Sequence, residues 1–216
     1  MAKRVVTLYI DDTSLRLLVA KGKRVEKWAD LSLEPGLVRD GVVIDETKVA
    51  AKIKELLKAQ RVRTRKVIAS LSGLRCVTRP ISLPQLHKAV LVEAIRREAE
   101  RVMPVPLEQF YISSQIIPAS GEEMLVFLAA LPRNDTDAMV KTLRLAGVEP
   151  YLMDIKPLAL ARVVREATAI IVDVESTEFD IVIMVDGIPQ PIRTLSLPHD
   201  AQSWPEKLPI ITQELD

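Results

Sequence analysis

Glycine, cysteine, histidine and aromatic residues are all scarce in this chain, and each shortage removes a class of function. The seven glycines, at positions 22, 36, 41, 73, 121, 147 and 187, never cluster. A P-loop or a dinucleotide fingerprint needs glycines close together, because only they let the backbone approach phosphate so tightly. Cys76 is the single cysteine. No internal disulfide can form, and its apolar surroundings mark it as a small core residue. The two histidines, His87 and His199, lack Cys or carboxylate partners at ligand spacing, so the chain carries no metal motif. Aromatic residues make up 4% of the chain, too few for a platform on which bases stack.

Charge of one sign is missing too. Thirty basic residues face 29 acidic ones, and no broad positive field points to nucleic acid as a partner. The local run Arg61-Val62-Arg63-Thr64-Arg65-Lys66 reads as a solvated connection. No apolar stretch approaches the roughly 18 residues of a membrane span. Met1-Ala2-Lys3-Arg4 leads straight into a short strand, not into a secretory hydrophobic core, so the chain is expected in the cytoplasm. Ser70, Ser72 and Ser82 stand in strand-like context without a nucleophile elbow, which gives a hydrolase triad no support.

What remains is a globular composition, 48% apolar and 27% charged over 216 residues, enough for one large or two small domains. The pattern predicts an α/β (α+β) fold. Val5–Asp11, Leu15–Ala20 and Arg24–Leu33 read as a strand meander. Asp45 is placed to cap a helix over 46–59, with Val49, Ile53, Leu56 and Leu57 at helical spacing. Val67–Leu71 is a further strand. An α+β unit over 76–132 then interrupts the domain: strand Val77–Leu83, a helix with Leu86, Val90, Ala94, Ala99 and Val102 along one face, and strands Phe110–Ile117 and Met124–Leu131. The last two are expected to pair across Ala119-Ser120-Gly121-Glu122.

Asn134 reads as the cap of the next helix, with Asp135 and Asp137 in its first turn and Gly147 closing it. Strand Tyr151–Ile155 and a helix from Pro157 to about Arg165 follow. Thr168–Asp173, Phe179–Val185 and Gln190–Leu197 form a second meander, with Asp186-Gly187 as its turn. The expected organisation is therefore 1–75 with 133–166 as one domain, 76–132 inserted into it, and 167–216 as the start of a second. If the halves are duplicated folds, the second is incomplete, and the chain is expected to be the N-terminal part of a longer protein.

Both meanders carry the same local signature. Tyr9-Ile10-Asp11-Asp12-Thr13-Ser14-Leu15-Arg16 and Ile170-Ile171-Val172-Asp173-Val174-Glu175-Ser176-Thr177-Glu178 each end an apolar strand on an aspartate, pass a short polar turn and enter a second strand. Two such turns facing each other are the halves of a phosphate clamp, here without its glycines. The bland alternative is that Asp11 and Asp173 simply end strands, as Asp often does at turns.

Three stretches carry a family resemblance: Gly41-Val42-Val43-Ile44-Asp45; Thr78-Arg79-Pro80-Ile81-Ser82-Leu83-Pro84 continuing into Ala94–Glu108; and Leu145–Asp154 with Pro157–Arg162. In these the chain resembles the PilM family of type IV pilus assembly proteins, FtsA-like members of the actin-like ATPase superfamily. The resemblance is colinear over essentially the whole chain. It implies an RNase H-like pair of domains with a small inserted subdomain, and a non-enzymatic cytoplasmic adaptor of pilus assembly, peripheral to the inner membrane. The implied partners are the N-terminal cytoplasmic tail of a PilN-like inner-membrane protein and the pilus assembly platform. Two alternatives share the fold: a nucleotide-hydrolysing actin-like enzyme, and the cytoplasmic component of a type II secretion system.

The resemblance also assigns residues. In the family pattern Asp-x-Gly-Ser-Ser, Asp11 matches the Mg²⁺-holding aspartate and Ser14 a hydroxyl donor, while Thr13 replaces the glycine; Asp173 is the matching aspartate of the second turn. ATP with Mg²⁺ is the cofactor such a clamp implies. A β-branched Thr13 suits a positive φ poorly. Glu175 would stand near the β/γ-phosphates, where one like-charge contact at roughly 4 Å and an effective dielectric of about 20 costs on the order of 4 kcal/mol. No bound nucleotide and no hydrolysis are therefore expected. The resemblance places the tail groove between the first domain and its inserted unit, with a wall expected along Val77, Arg79, Ile81 and Leu83 and with Arg97 and Arg101 from the neighbouring helix, whose Glu93, Glu98 and Glu100 otherwise pair with its arginines.

Overall fold

A computed structural model describes residues 3–104, 106–117, 123–198 and 203–215. The chain opens with an antiparallel meander of β1 (Arg4–Ile10), β2 (Ser14–Lys21) and β3 (Arg24–Ser32). Strand alternation puts Val6, Leu8 and Ile10 on one face with Leu15, Leu17 and Val19, all at most 4% exposed. A short hairpin follows, β4 (Val38–Arg39) with β5 (Val42–Val43). The Lys48 N–H donates to Asp45 at 3.0 Å and caps α1 (Glu46–Ala59). Then come β6 (Lys66–Leu71), β7 (Val77–Pro84), α2 (Lys88–Val102), β8 (Phe110–Ile117) and β9 (Glu123–Pro132). After these run α3 (Arg133–Leu145), β10 (Glu149–Ile155) and α4 (Lys156–Val163). The described chain ends with β11 (Ala169–Val174), β12 (Glu178–Val185), β13 (Ile188–Ser196) and α5 (Trp204–Gln213).

Three larger sheets result. The first has the order β10-β6-β1-β2-β3, with β6 parallel to both β1 and β10. Its apolar face shares one core with Val49, Ile53 and Leu56 of α1 and Met139 and Leu143 of α3. Burying each such side chain contributes about 1.5–3 kcal/mol, and this cluster is the largest in the molecule. The second sheet, β7-β9-β8, closes over α2 through Ile81, Leu83, Leu91, Ala99, Val126 and Leu128. The third, β11-β12-β13, is covered on one side by α5 through Ile211 and on the other by α4 through Ala161.

Some local expectations need correcting. Val90 is 52% exposed; Leu91 and Ala99 form the buried face of α2, with Ile95 and Val102 packed beside them. Asn134 lies inside α3, which starts at Arg133 after an extended Pro132 and has no side-chain cap. Asp135 does fall in the first turn, and Gly147 adopts φ +82 just past the helix end. α4 ends at Val163, and α5 was not anticipated. The expected turn Ala119-Ser120-Gly121-Glu122 and His199 lie outside the described residues, although β8 and β9 do pair antiparallel.

The two meanders repeat with a constant offset. β2 and β3 span 14–21 and 24–32, and β12 and β13 span 178–185 and 188–196, a shift of 164 residues in each case. Turn hydrogen bonds obey it as well. Asp11 N–H donates to Ser14 O at 3.0 Å and Glu175 N–H to Glu178 O at 2.9 Å; Leu33 N–H donates to Thr13 O and Leu197 N–H to Thr177 O, both at 2.7 Å.

Candidate functional site: paired turns and a flanking groove

The β1–β2 and β11–β12 turns lie side by side, because the two meanders meet at their polar ends. In the first turn the Asp11 carboxylate, 4% exposed, folds back on its own backbone. Its Oδ1 accepts from Thr13 N–H at 2.7 Å, Thr13 Oγ1 at 2.8 Å and Ser14 N–H at 2.7 Å, and its Oδ2 from Ser14 Oγ at 3.0 Å. These are the N–H groups a phosphate-binding turn offers to its ligand, and a protein carboxylate already holds them. Thr13 has adjusted accordingly: among the described non-glycine residues only Asp40, Arg61 and Asp186 have positive φ. Asp12 is tied down too, accepting from Asp40 N–H at 2.9 Å and Gly41 N–H at 2.8 Å.

The offset of 164 residues puts Glu175, not Asp173, at the position of Asp11; Asp173 corresponds to Tyr9, inside the strand. Glu175 turns to Arg16, which donates to it with Nη1 and Nη2 at 2.5 Å each. The Arg16 Nη2 also lies 3.3 Å from Asp11 Oδ2. One guanidinium thus binds a carboxylate from each turn. The hydrogen bonds that Arg16 donates to Glu175 hold the guanidinium still further above the ordinary arginine value, against the effect of burial. Lys207 of α5 braces the second turn, its ammonium donating to Glu175 O at 2.9 Å.

Below the turns Lys156, the first residue of α4, is nearly buried among three carboxylates. Its Nζ lies 3.1 Å from Asp173 Oδ2, 2.9 Å from Glu178 Oε1 and 2.9 Å from Asp180 Oδ2. All three contacts are ion pairs without hydrogen-bond alignment. Burial alone would lower the ammonium's pKa, but Glu178 and Asp180 outweigh it and hold Lys156 above its ordinary value. Burial raises the Asp180 carboxyl against the pull of Lys156. Glu178 also accepts from Tyr9 Oη at 3.0 Å and from Ser72 Oγ at 2.5 Å, both on the first sheet's side. Burial, then the charge of Glu178, keeps the Tyr9 phenol protonated. Among the described residues no group of three or more His, Cys, Asp or Glu side chains is placed to hold a metal ion.

Of the residues expected in the clamp, Asp11, Thr13 and Ser14 come together, and Asp173 lies on Lys156 instead of facing them. Arg16, Lys156 and Glu178 were missed. Sequence spacing carries no signal for Arg16, whose partner is 159 residues away. A cleft of about 740 Å³ opens beside the two turns, lined by Asp12, Thr13, Arg39, Ser176, Thr177 and Lys207 among others.

A second concavity, about 780 Å³, lies on the inserted unit between α2 and β8. Val92, Ile95 and Ala99 line it from α2, and Phe110, Tyr111 and Ile112 from β8, with Arg133 at the foot of α3. Arg133 stacks on the Tyr111 ring at 4.2 Å, and the Tyr111 hydroxyl donates to Asp137 at 2.9 Å. β8 is an edge strand, and among the described residues one row of its backbone groups has no strand partner. The expected groove residues lie elsewhere. Ile81 and Leu83 are buried in the unit's own core, Val77 packs against it, and Arg79 is exposed on β7, at the opposite edge of the sheet. Arg97 pairs with Glu93 at 3.0 Å and Arg101 with Glu98, on the helix's outer surface. The i,i+4 pairing anticipated for this helix is present at Arg97, and also between Arg96 and Glu100.

Two meanders meeting at paired turns, each backed by helices, with an α+β unit set into the first, define a protein of the actin-like ATPase fold. A Bacteroides thetaiotaomicron protein with actin-like ATPase fold and unknown function matches 99% of this chain and 77% of its own (TM-score 0.51, 9% identity). The cytoplasmic domain of EpsL, an inner-membrane component of the type II secretion system of Vibrio cholerae, matches 90% of this chain and 71% of its own (TM-score 0.59, 11% identity). Within that class the match narrows. The model of the family "Type IV pilus assembly protein PilM" covers residues 13–203, and this chain belongs to that family. A solved PilM-PilN type IV pilus biogenesis complex contains a chain 27% identical to it at a TM-score of 0.81, over 100% of this chain and 76% of that one.

Proposed function

We propose that this protein is a non-enzymatic adaptor of type IV pilus assembly. It captures the cytoplasmic tail of a PilN-like inner-membrane protein in the groove between α2 and β8. It acts on the cytoplasmic side of the membrane and links that partner to the pilus assembly platform. Membership of the PilM family supports the role, and the PilM-PilN complex supports the partner. Among the described residues no helix is long and apolar enough to cross a membrane, which accords with attachment through a partner.

The single observation that carries the tail site is the combination of an unpaired strand edge with exposed apolar side chains beside it. Val92 is 76% exposed and Ile112 37%, although both flank a groove lined by Ile95, Ala99 and Phe110. An extended tail adds to such an edge by main-chain hydrogen bonds and places alternate side chains in the groove. The phosphate turns are degenerate in this reading, because Asp11 holds the turn's own N–H groups and Lys156 is consumed by carboxylates. That weighs against the nucleotide-hydrolysing alternative. Titrating a fluorescent peptide of the PilN-like tail, with and without Mg-ATP, tests the proposal. Saturable binding that is indifferent to nucleotide is expected; absence of saturation overturns it.

A further inference from the structure

Glu175 is a half-buried anion from the second meander, and Arg16 is a cation from the first. We propose that the Arg16–Glu175 pair, anchored by Asp11, replaces a bound nucleotide as the element that holds the two halves of this molecule together. The inference rests on the reading of the turns as degenerate, and goes beyond it by assigning the vacated role to named side chains.

In a clamp that works, a triphosphate and its metal bridge two turns: N–H groups on both sides hold the phosphate oxygens, and the cation neutralises the surrounding carboxylates. Every part of that arrangement has a protein counterpart here. The anion in the first turn's N–H cradle is the Asp11 carboxylate, bound by Thr13 N–H and Ser14 N–H at 2.7 Å each. The cation between the turns is the Arg16 guanidinium, within 3.3 Å of Asp11 and bidentate on Glu175. A bidentate arginine–carboxylate pair fixes orientation as well as distance, which a single lysine contact does not. The repeat makes the arrangement symmetric, since Asp11 and Glu175 occupy the same position in their meanders and Arg16 joins them. A triphosphate entering this space would have to displace Asp11 from two backbone N–H groups and Glu175 from Arg16, and neither turn, 11–14 or 175–178, holds a glycine to make room.

Deeper contacts follow the same line. Tyr9 and Ser72 on the first sheet's side donate to Glu178 on the third, and Glu178 is held by Lys156. Arg16–Glu175 is the outermost member of this set, its arginine side chain 41% exposed, and it joins the two turns beside the mouth of the cleft. It is therefore the pair whose loss lets the mouth open while the deeper contacts keep the fold intact.

The experiment measures the width of that mouth. Spin labels are placed, in a Cys76→Ser background, at Pro35→Cys in the cleft wall on the first meander's side and at Trp204→Cys, which opens α5 beside Glu175 and Lys207, and double electron–electron resonance reads their separation. The expected result is one narrow distance distribution that Mg-ATP leaves unchanged, and a broadened, longer distribution in Arg16→Gln. Glu175→Gln should broaden it equally, and the double variant no further. If Arg16→Gln and Glu175→Gln both keep the narrow distribution without nucleotide, the clamp is wrong while the degenerate-site reading stands. If the unsubstituted pair already gives a broad distribution that Mg-ATP narrows, the degenerate-site reading fails and the clamp fails with it. Should Arg16→Gln not fold, Arg16→Lys serves instead, since it keeps the charge and loses the bidentate geometry; an unchanged distribution there with Glu175→Gln also unchanged overturns the proposal.

Discussion

Lys156 lies 2.9 Å from Glu178, and the two sit where the first and third sheets come together, the lysine 9% and the glutamate 3% exposed at their side chains. Asp173 and Asp180 complete a cage in which one cation faces three anions. The arrangement survives because hydroxyls share the load: Tyr9 and Ser72 donate to Glu178, and Thr194 donates to Asp180 at 2.5 Å.

Replacing that lysine should therefore be severe and pH-dependent. Lys156→Met leaves three carboxylates facing each other without a cation, and breaking a buried pair from one side costs about 3–5 kcal/mol. The signs can be worked out. The folded-state pKa of Lys156 is raised, so its stabilisation is complete below the unfolded value and is lost only as pH climbs through the raised one. The Asp180 carboxyl is also raised, so its ionisation costs stability above its folded pKa, and acidification relieves that cost. Urea denaturation should show a deficit in Lys156→Met at pH 7.5 that narrows by pH 5.5. An equal deficit at both values would mean that packing, not charge, is what the lysine supplies.

A second prediction concerns how closely the halves approach. A Cβ placed on Gly73 falls well inside contact with Thr194 Oγ1 and reaches 2.9 Å from Pro157 Cγ. Gly73→Ala should destabilise by about 1–3 kcal/mol through overpacking, and it should disturb the Thr194–Asp180 hydrogen bond. Adding Thr194→Ala should recover part of the loss, although Pro157 remains in the way. Thermal melts of the two single variants and the double one check this, and strict additivity would show that the clash lies elsewhere.

Much of this arrangement could be read in advance, and the reasons for the rest are physical. Strand ends and turns are local properties, so the two meanders, the Asp45 cap and the place of Gly147 were legible from alternation and turn residues. Val90 was misplaced because a helical pattern with apolar residues at both 90 and 91 admits two faces. Only packing against the β7-β9-β8 sheet selects Leu91. α5 was hidden by Pro205 and Pro209, although Ser203-Trp204-Pro205-Glu206 has the capping-box spacing, and Ser203 N–H does donate to Glu206 at 2.8 Å. Ile81 and Leu83 were assigned to the groove because a strand's two faces look alike until the sheet order is known. The pairing of Arg16 with Glu175 had no local signal at all; the repeat of 164 residues contains it, and a degenerate repeat is faint in sequence.

Cys76 gives a test that needs no substitution. Burial pushes its thiol up to about 12, with Asp135 and Glu178 adding to the effect, and its Sγ donates toward Ser72 O at 3.5 Å. At pH 8 the thiolate fraction should be more than about a hundredfold below that of a free cysteine. Alkylation by iodoacetamide should be correspondingly slow in buffer and rapid in fully denaturing urea, where the ordinary pKa returns. Fast labelling in buffer would show that the β6–β7 connection opens readily.

The groove separates its own residues from those of the opposite strand. Val92 and Ile112 face each other across it and are exposed, so changing them should leave the core of the inserted unit intact. Val92→Asp and Ile112→Asp should each weaken binding of a PilN-like tail by about tenfold or more, equivalent to about 1.4 kcal/mol, with little change in melting temperature. Arg97→Ala and Arg101→Ala, on the outer surface of α2, should leave the affinity as it is. Ile81→Asp should instead unfold the unit, because that side chain is 5% exposed within its core. Anisotropy titrations and melts of the five variants distinguish the two edges of the sheet: loss of affinity on changing Arg97 or Arg101 with Val92 and Ile112 silent would move the tail off the α2–β8 groove. The unpaired edge of β8 would then need another reason to be left bare.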